Sequence, residues 1–334
     1  MKNSTKYMMY LILIMSTIIV MSSNNWMSMW MGMEINLIAF LPIMFKSKNN
    51  LSSEGMMMYF LIQAMGSIIM LMSILMNTKM FIEEANFESM TKNILFTSII
   101  MKMGSAPLHF WMPEIMEKMN WMNCMILMTW QKIAPMIMLS NIFINKNMIM
   151  ATTIMGTIVG AMGGLNQTSI RKIMAYSSIS HIAWMIMCMT YNNEMWMYYL
   201  TIYSIMIIMT TMVFKTKSIM YLNQMTTENM TLMEKMNLVM LFMSMGGMPP
   251  FLGFLPKWMV IQSTFSSTTI LTLTIMVTST LMTLYYYMKM MSTNIMINMS
   301  MNKWNMNMKK SKVLQTNIFL LNITLPLMMM LVTF

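Results

Sequence analysis

Residues 12–45, ILIMSTIIVMSSNNWMSMWMGMEINLIAFLPIMF, form an apolar run that turns once, at the polar patch 22–25, and holds a single charge, Glu34. The second part, 26–45, has the length of a membrane-spanning helix, which needs about 20 mostly apolar residues, and the first part belongs to a run that begins at residue 7. An ionised group at bilayer depth costs at least about 2.5–3.5 kcal/mol. Glu34 is therefore the first candidate for a functional residue.

Composition places the whole chain in the same class. Of its 334 residues 57% are hydrophobic and only 9% are charged, whereas soluble proteins average about 25% charged residues. Only helices and closed barrels satisfy their backbone in lipid, and a barrel would show short alternating segments instead of long runs. We expect an all-α polytopic membrane protein with no separate soluble domain.

The apolar runs predict about eleven transmembrane helices. Two of the runs, 90–117 and 236–265, are interrupted by proline and glycine. The predicted ranges are 7–23, 26–45, 56–76, 90–117, 121–143, 148–165, 173–190, 195–214, 236–265, 268–290 and 314–333. The first run also resembles a signal peptide, but the ten runs that follow it favour a membrane span.

The two interrupted runs contain similar sequences, MGSAPLHFWMPE at 103–114 and MGGMPPFLGFLPK at 245–257. Each begins Met-Gly, and each reaches a proline three residues after that glycine. Proline removes a backbone donor and opens a helix. Broken helices at matching positions of inverted repeats mark transport sites in many carriers.

Lysine placement predicts the topology. Most of the 21 lysine and arginine residues fall in the connections on the N-terminal side, which the positive-inside rule assigns to the inner compartment. The opposite side has few cations and several glutamates: Lys79, Lys92, Lys146, Glu83, Glu84, Glu88 and Glu194. The basic connection 289–312 either meets anionic lipid or is simply solvated.

Three lysines, Lys102, Lys132 and Lys257, lie inside apolar runs together with Glu34. Burial penalises the charged form of each group, and an opposite charge restores it, so a Glu34–Lys102 pair would act as a switch. Lys132 would accept and release protons, and Lys257 would be the last member of the row. Lys102 and Lys257 also lie where a lysine could snorkel to the interface.

His181, in SSISHIAW, is either a proton relay or a packed, hydrogen-bonded histidine. His109 and Glu114 follow Pro107, and a structural role is expected for both.

Other classes of site find little support. Two cysteines cannot ligate an iron–sulfur cluster, two histidines make no convincing haem or zinc site, and GAMGG at 160–164 lacks the spacing of a nucleotide-binding loop. Helix packing explains those glycines better. The 65 methionines follow no ligand spacing, so mutational bias is favoured over a copper-binding array. The net charge of +11 reflects topology, and no nucleic-acid partner is expected.

Four motifs carry a family resemblance: KMGSAPLHFWMPE (102–114), WQKIAP (130–135), RKIMAYSSISHIAWM (171–185) and GGMPPFLGFLPKW (246–258). Together they resemble the antiporter-like membrane subunits of mitochondrial NADH–ubiquinone oxidoreductase, respiratory complex I. The wider family includes subunits of multi-subunit sodium/proton antiporters. The resemblance covers nearly the whole chain.

The resemblance implies two inverted five-helix repeats, about 7–143 and 148–290, followed by a C-terminal helix at 314–333. It implies a proton path through Glu34, Lys102, Lys132 and Lys257, and other membrane-arm subunits of complex I as partners. Flavin, iron–sulfur clusters and quinone are expected in other subunits, with no cofactor or metal in this chain. The location implied is the mitochondrial inner membrane, with the N-terminus in the matrix, the C-terminus in the intermembrane space, and anionic lipids such as cardiolipin nearby.

Three functions remain open at this point. The chain is a proton-pumping subunit that couples quinone reduction elsewhere to proton movement, or a scaffold of the membrane arm that does not pump, or a free-standing cation/proton exchanger. The exchanger is disfavoured because sodium prefers carboxylate oxygens, and one glutamate among three lysines offers few.

Overall fold

The computed structural model of the chain describes residues 3–45, 50–79, 85–142, 145–191, 194–227, 232–265 and 269–300. Within these ranges the secondary structure is α-helix throughout, apart from one isolated bridge between Ser169 and Tyr221. The predicted helix 314–333 lies outside the described residues. Contacts group the chain into two compact units, Met1–Thr152 and Thr153–Phe334.

The first unit is built from seven helices in the described ranges. In it α2 packs between α1 and α3, α3 packs on α4 and α5, and α7 contacts α1, α4 and α6. The helices are α1 (Asn3–Ser22), α2 (Trp26–Met44), α3 (Asn50–Lys79), α4 (Ala85–Met103), α5 (Trp111–Lys118), α6 (Trp121–Met128) and α7 (Trp130–Ser140).

The second unit is built around one central helix. Its helices are α8 (Lys146–Leu165, which begins before the boundary between the units), α9 (Ile170–Cys188), α10 (Met195–Lys217), α11 (Leu222–Thr227), α12 (Leu232–Gly246), α13 (Phe254–Thr264) and α14 (Ile270–Ser300). Nearly every residue of α9 is buried, and α9 contacts α10 and α13. A helix buried on all sides needs no polar face.

Glycines bring α8 close to α9. A Cβ at Gly156 would lie 2.8 Å from Cβ of Ala183, and one at Gly160 would lie 2.8 Å from the backbone oxygen of Tyr176. Small residues four apart allow two membrane helices to approach in this way. Helix packing thus accounts for Gly160, as expected from the sequence.

Six helices in the described ranges, α1, α2, α3, α8, α10 and α14, are long and apolar enough to cross a membrane. Their outer faces expose large apolar side chains such as Leu11, Met15, Leu61 and Leu281. So many exposed apolar side chains are unfavourable in water, whereas they suit a surface that faces lipid tails.

The helices depart from the sequence expectations in several places. Helix α3 begins at Asn50, before the predicted span 56–76, and α14 continues to Ser300, into the stretch 289–312 that was predicted as a connection. The single predicted span 121–143 is divided at Thr129 into α6 and α7. Thr129 has φ −109° and ψ −72°, and the Lys132 N–H donates to Thr129 three residues back instead of four, so the regular helix is interrupted there. The short helix α11 falls in a connection for which no helix was predicted.

Candidate functional site

Helices α2 and α4 bring Glu34 and Lys102 together inside the first unit. Nζ of Lys102 lies 3.8 Å from Oε1 of Glu34, within ion-pair range but longer than the roughly 2.7–2.9 Å of a charge-assisted hydrogen bond. The Lys102 side chain is 2% exposed and that of Glu34 is 27% exposed. Among the described residues none donates a direct hydrogen bond to Oε1 of Glu34. Charge therefore holds the pair together while leaving it room to close or separate.

Two features of the fold position Lys102. It lies in the last turn of α4, where the helix dipole favours a cation. Gly66 on α3 leaves space for its stem, since a Cβ there would lie 3.0 Å from Cγ of Lys102.

The helix α4 ends at a break made by Gly104, whose φ of +69° suits glycine because it has no Cβ. The Gly104 N–H donates to Ile100 at 3.0 Å and the Ser105 N–H to Ile100 at 3.3 Å, a common way to close a helix C-terminus. Side chains satisfy the last three carbonyls: Nε1 of Trp111 donates to Met101 at 3.1 Å, Nε2 of Gln63 to Lys102 at 3.0 Å, and Nζ of Lys132 to Met103.

Lys132 on α7 is buried at this helix end. Besides the Met103 carbonyl, its Nζ contacts Sδ of Met112 at 3.4 Å, and the residue is 3% exposed. Within the described ranges no carboxylate forms an ion pair with it. The α4 carbonyl and the negative end of the helix dipole are therefore what stabilises an ammonium there.

A cavity joins the two amines. It measures about 20 Å³ and its lining includes Lys102, Lys132, Gln63, Gln131 and Asn36. That volume accommodates one water molecule, which needs about 10–15 Å³ and two to four polar partners. The cavity therefore has room for one water molecule beside the two lysine residues.

The amides of this cavity were missed by the sequence reasoning. Nε2 of Gln131 donates to Oδ1 of Asn36 at 3.0 Å, which ties α7 to α2, the helix that carries Glu34. The signal that could have found them is the same as for the charges, because Asn36 and Gln63 each interrupt an apolar run.

In the second unit Lys257 repeats the arrangement of Lys132. From α13 its Nζ donates to the carbonyl of Gly246 at 2.7 Å, the last residue of α12. Gly247 follows with φ of +82°, and a Cβ there would lie 2.8 Å from Nζ of Lys257. Each unit thus has a buried lysine bound to the carbonyl that precedes a left-handed glycine.

His181 on α9 lies beside this second lysine. Its Nδ1 is 2.9 Å from the hydroxyl of Tyr199, and its ring interacts with the backbone of Met245 and with the charge of Lys257. The two readings of His181, a hydrogen-bonded core residue and a relay, both fit this placement.

The five predicted site residues are therefore divided between the units: Glu34, Lys102 and Lys132 lie in the first, and His181 and Lys257 in the second. His109 lies in the break after α4, where its ring is 3.2 Å from the Pro107 carbonyl. In the described part of the chain no three His, Cys, Asp or Glu residues gather as a metal site would require.

Comparison with known proteins gives one consistent result. The family model described as NADH:quinone oxidoreductase/Mrp antiporter matches residues 23–283. NADH-ubiquinone oxidoreductase chain 2 of Locusta migratoria is 42% identical over 93% of this chain and 91% of its own length. The Anopheles gambiae protein of the same name is 41% identical over 94% of each.

Solved structures show the same fold at low identity. A chain of respiratory complex I from Thermus thermophilus superposes with a TM-score of 0.84 at 16% identity, covering 96% of this chain and 77% of its own. A chain of the archaeal membrane-bound sulfane sulfur reductase gives 0.80 at 13% identity, covering 96% and 72%.

Proposed function

This chain belongs to the NADH:quinone oxidoreductase/Mrp antiporter family, and from that membership we propose how its buried site works. It is a proton-translocating membrane subunit of complex I, and so one part of an NADH:ubiquinone oxidoreductase. The observation that carries this conclusion is one small cavity lined by the buried Lys102 and Lys132, with Glu34 paired to Lys102 beside it. A structural core of this kind would be cheaper to build from apolar side chains.

The Glu34–Lys102 pair acts as the switch. Two unit charges about 4 Å apart attract by about 4 kcal/mol at an effective dielectric constant of 20, and by half as much at twice the distance. Doubling the distance between the two charges therefore changes the free energy of protonating Lys102 by about 2 kcal/mol. That corresponds to more than a tenfold change in its proton-binding constant. A charge displaced in a neighbouring subunit by quinone reduction would supply that opening.

The proton then moves from Lys102 to Lys132 through the small cavity. Each transfer needs a donor and acceptor within hydrogen-bond reach or one intervening water, and a cavity with room for one water, lined by both lysines, supports such a step. Lys132 holds the proton against the Met103 carbonyl until it is released. Lys257 serves as the exit group, with His181 as a relay beside it.

The finer architecture is part of the same proposal. Two inverted five-helix repeats, about 7–143 and 148–290, and a last helix at 314–333 would give eleven spans. The paired glycine breaks at Gly104 and Gly247 support the repeat, because each lies beside a lysine-bound helix end.

The setting is the inner membrane, which the chain crosses several times, within an assembly of other membrane-arm subunits. We place the N-terminus in the matrix and the C-terminus in the intermembrane space, as the lysine distribution predicts. NADH oxidation, flavin, iron–sulfur clusters and quinone reduction are assigned to other subunits. Anionic lipid would meet the basic connection 289–312.

Glu34→Gln in the assembled complex tests the switch. The substitution keeps the shape but leaves the Lys102 ammonium without its counter-charge, and breaking a buried pair in this way costs up to about 3–5 kcal/mol. Since Glu34 is partly exposed, the cost falls below that range, and we expect a roughly tenfold loss of proton-coupled NADH oxidation in liposomes, the equivalent of about 1.4 kcal/mol.

Glu54→Gln is the matched control, because Glu54 pairs with Lys118 at 2.7 Å on the exposed surface and such pairs contribute about 0–1 kcal/mol. Normal assembly with unchanged coupled turnover in Glu34→Gln would reject the switch and favour a scaffold.

A further inference from the structure

Three tyrosines of the second unit have buried hydroxyl groups and no role in the proposed function. Tyr203 on α10 and Tyr286 and Tyr287 on α14 are each at most 2% exposed. Within the described ranges none of their three phenol oxygens makes a direct hydrogen bond. Leaving a buried polar group unpaired costs about 1–3 kcal/mol, and phenylalanine would fill the same space without that cost.

The three hydroxyl groups gather with two serines of the central helix. Tyr203 interacts with Ser178, and Tyr287 interacts with Ser177 and with Tyr286, although none of these approaches has the geometry of a direct hydrogen bond. The rings of Tyr286 and Tyr287 lie 4.6 Å apart. Water bridges polar groups at such separations with little loss of energy.

The two serines retain acceptor capacity toward this cluster. Oγ of Ser177 donates to the Met174 carbonyl at 2.8 Å, and Oγ of Ser178 donates to the Ala175 carbonyl at 2.7 Å. A hydroxyl that donates its one proton still has two lone pairs. Each serine can therefore accept a hydrogen bond from a tyrosine or a water.

At one end of the hydroxyl cluster lies His181, which interacts with the buried Lys257. The ring of Tyr203 stacks on His181 with centroids 4.8 Å apart. The hydroxyl cluster therefore adjoins His181 and Lys257, the two predicted site residues of the second unit.

The other end reaches a loop. A Cβ at Gly164 would lie 2.8 Å from Cε1 and 3.1 Å from Cζ of Tyr286. The absence of a side chain at Gly164 is therefore what lets α8 pack this close to the phenol ring. Helix α8 ends at the next residue, Leu165, and Asn166 and Thr168 beyond it are exposed. Tyr286 therefore stands near the end of the unit where the chain meets solvent.

We propose that Tyr203, Tyr286, Tyr287, Ser177 and Ser178, with water between them, form a proton relay that links Lys257 and His181 to the loop 166–169. The relay rests on the proposed function, since it has a purpose only if Lys257 exchanges protons. Lysine placement assigns this loop, next to Arg171 and Lys172, to the matrix side, so the relay would return a proton from the matrix to Lys257 after Lys257, as exit group, has released its own outward.

Each transfer is balanced without any other reactant. A hydroxyl oxygen accepts one proton and releases its own to the next oxygen, so each O–H bond that breaks is replaced by one that forms. A neutral Lys257 gains one N–H bond, and water at the loop loses one O–H bond. The tyrosines and serines are neutral before and after.

Single Tyr→Phe variants in the assembled complex test the relay. Tyr203→Phe and Tyr287→Phe keep the rings and remove only the oxygens. Tyr285→Phe is the matched control, because Tyr285 lies on α14 like Tyr287 but is 62% exposed. Positioned proton transfer contributes about 10²–10⁴-fold, and water would bypass part of the loss. We expect a roughly tenfold lower proton-coupled turnover at equal complex content, with a larger solvent deuterium isotope effect.

The isotope effect separates a relay from packing, because a merely structural substitution would not make proton transfer slower relative to other steps. Unchanged turnover and isotope effect in both relay variants would overturn the relay. If Lys257→Met still lowered coupled turnover in that case, the proposed function would stand without it. If Lys257→Met and Glu34→Gln were also without effect, the proposed function would fall as well.

Discussion

At the scale of single residues, each buried lysine is bound to a helix end. Lys132 donates to Met103 and Lys257 to Gly246, and both carbonyls precede a glycine in the left-handed region. An amine held by a neutral carbonyl has no carboxylate to release before it loses its proton. Lys102, paired with Glu34 at 3.8 Å, differs in that its charge depends on a second titratable group.

The amide pair Gln131–Asn36 is a second residue-scale feature, and Gln131→Leu tests it. The change removes the donor to Oδ1 of Asn36 and leaves that oxygen unsatisfied, at about 1–3 kcal/mol. We expect coupled turnover to fall by about tenfold, the equivalent of 1.4 kcal/mol, because the Lys132 helix loses its tie to the Glu34 helix. Gln262→Leu, at an exposed position of α13, is the control. Equal turnover in the two variants would show that the amide pair does not matter.

At the scale of elements, the two broken helices set the site. Both breaks follow the sequence Met-Gly and both close with the same pair of backbone hydrogen bonds, from Gly104 and Ser105 to Ile100 and from Gly247 and Met248 to Met243. The repeated sequence therefore produces a repeated backbone geometry, and the carbonyls freed by each break become lysine acceptors.

Gly247→Ala tests the second break. A side chain there is strained at φ +82°, by about 1–3 kcal/mol, and its Cβ would displace Nζ of Lys257 from 2.8 Å away. We expect a clear fall in coupled turnover at equal complex content. The adjacent Gly246→Ala is the control, since it keeps the carbonyl that binds Lys257 and its Cβ would meet Leu284, at 2.7 and 3.1 Å, and Tyr287, at 3.6 Å, instead of Lys257. A smaller effect at Gly247 than at Gly246 would argue against the lysine-bound break.

Much of this element pattern could be predicted from the sequence, because apolar runs and glycine–proline breaks are local signals. The runs 26–45 and 195–214 correspond to α2 and α10, and the breaks fall at the predicted motifs. The division at Thr129 and the amides that line the cavity could not be predicted from the sequence, since they depend on which side chains meet across helices. The hydroxyl cluster was missed for the same reason: Tyr203 and Tyr287 are 84 residues apart in sequence.

At the scale of the whole molecule, six helices in the described ranges are long and apolar enough to span a membrane, against eleven predicted spans, of which 314–333 lies outside the described residues. The other four differ for a physical reason. The breaks leave α4 to α7, α12 and α13 as shorter or more polar pieces, and α9 carries serines and His181 because its neighbours are protein. Length and hydropathy identify helices that face lipid. Such criteria miss α4, α7, α9 and α13, which carry the buried lysines and His181, whereas α2 with Glu34 meets them.

The central claim is that protons cross through the buried charges of this chain, and Lys132→Met tests it most directly. The substitution keeps length and apolar volume at a fully enclosed amine. The measurement is the number of protons moved per NADH oxidised by the assembled complex in liposomes, beside Lys215→Met, which removes an exposed lysine. We predict that Lys132→Met lowers coupled turnover at least about tenfold or lowers the proton ratio, while Lys215→Met changes neither. Normal assembly with the full ratio and rate in Lys132→Met would contradict the account and leave this chain a scaffold.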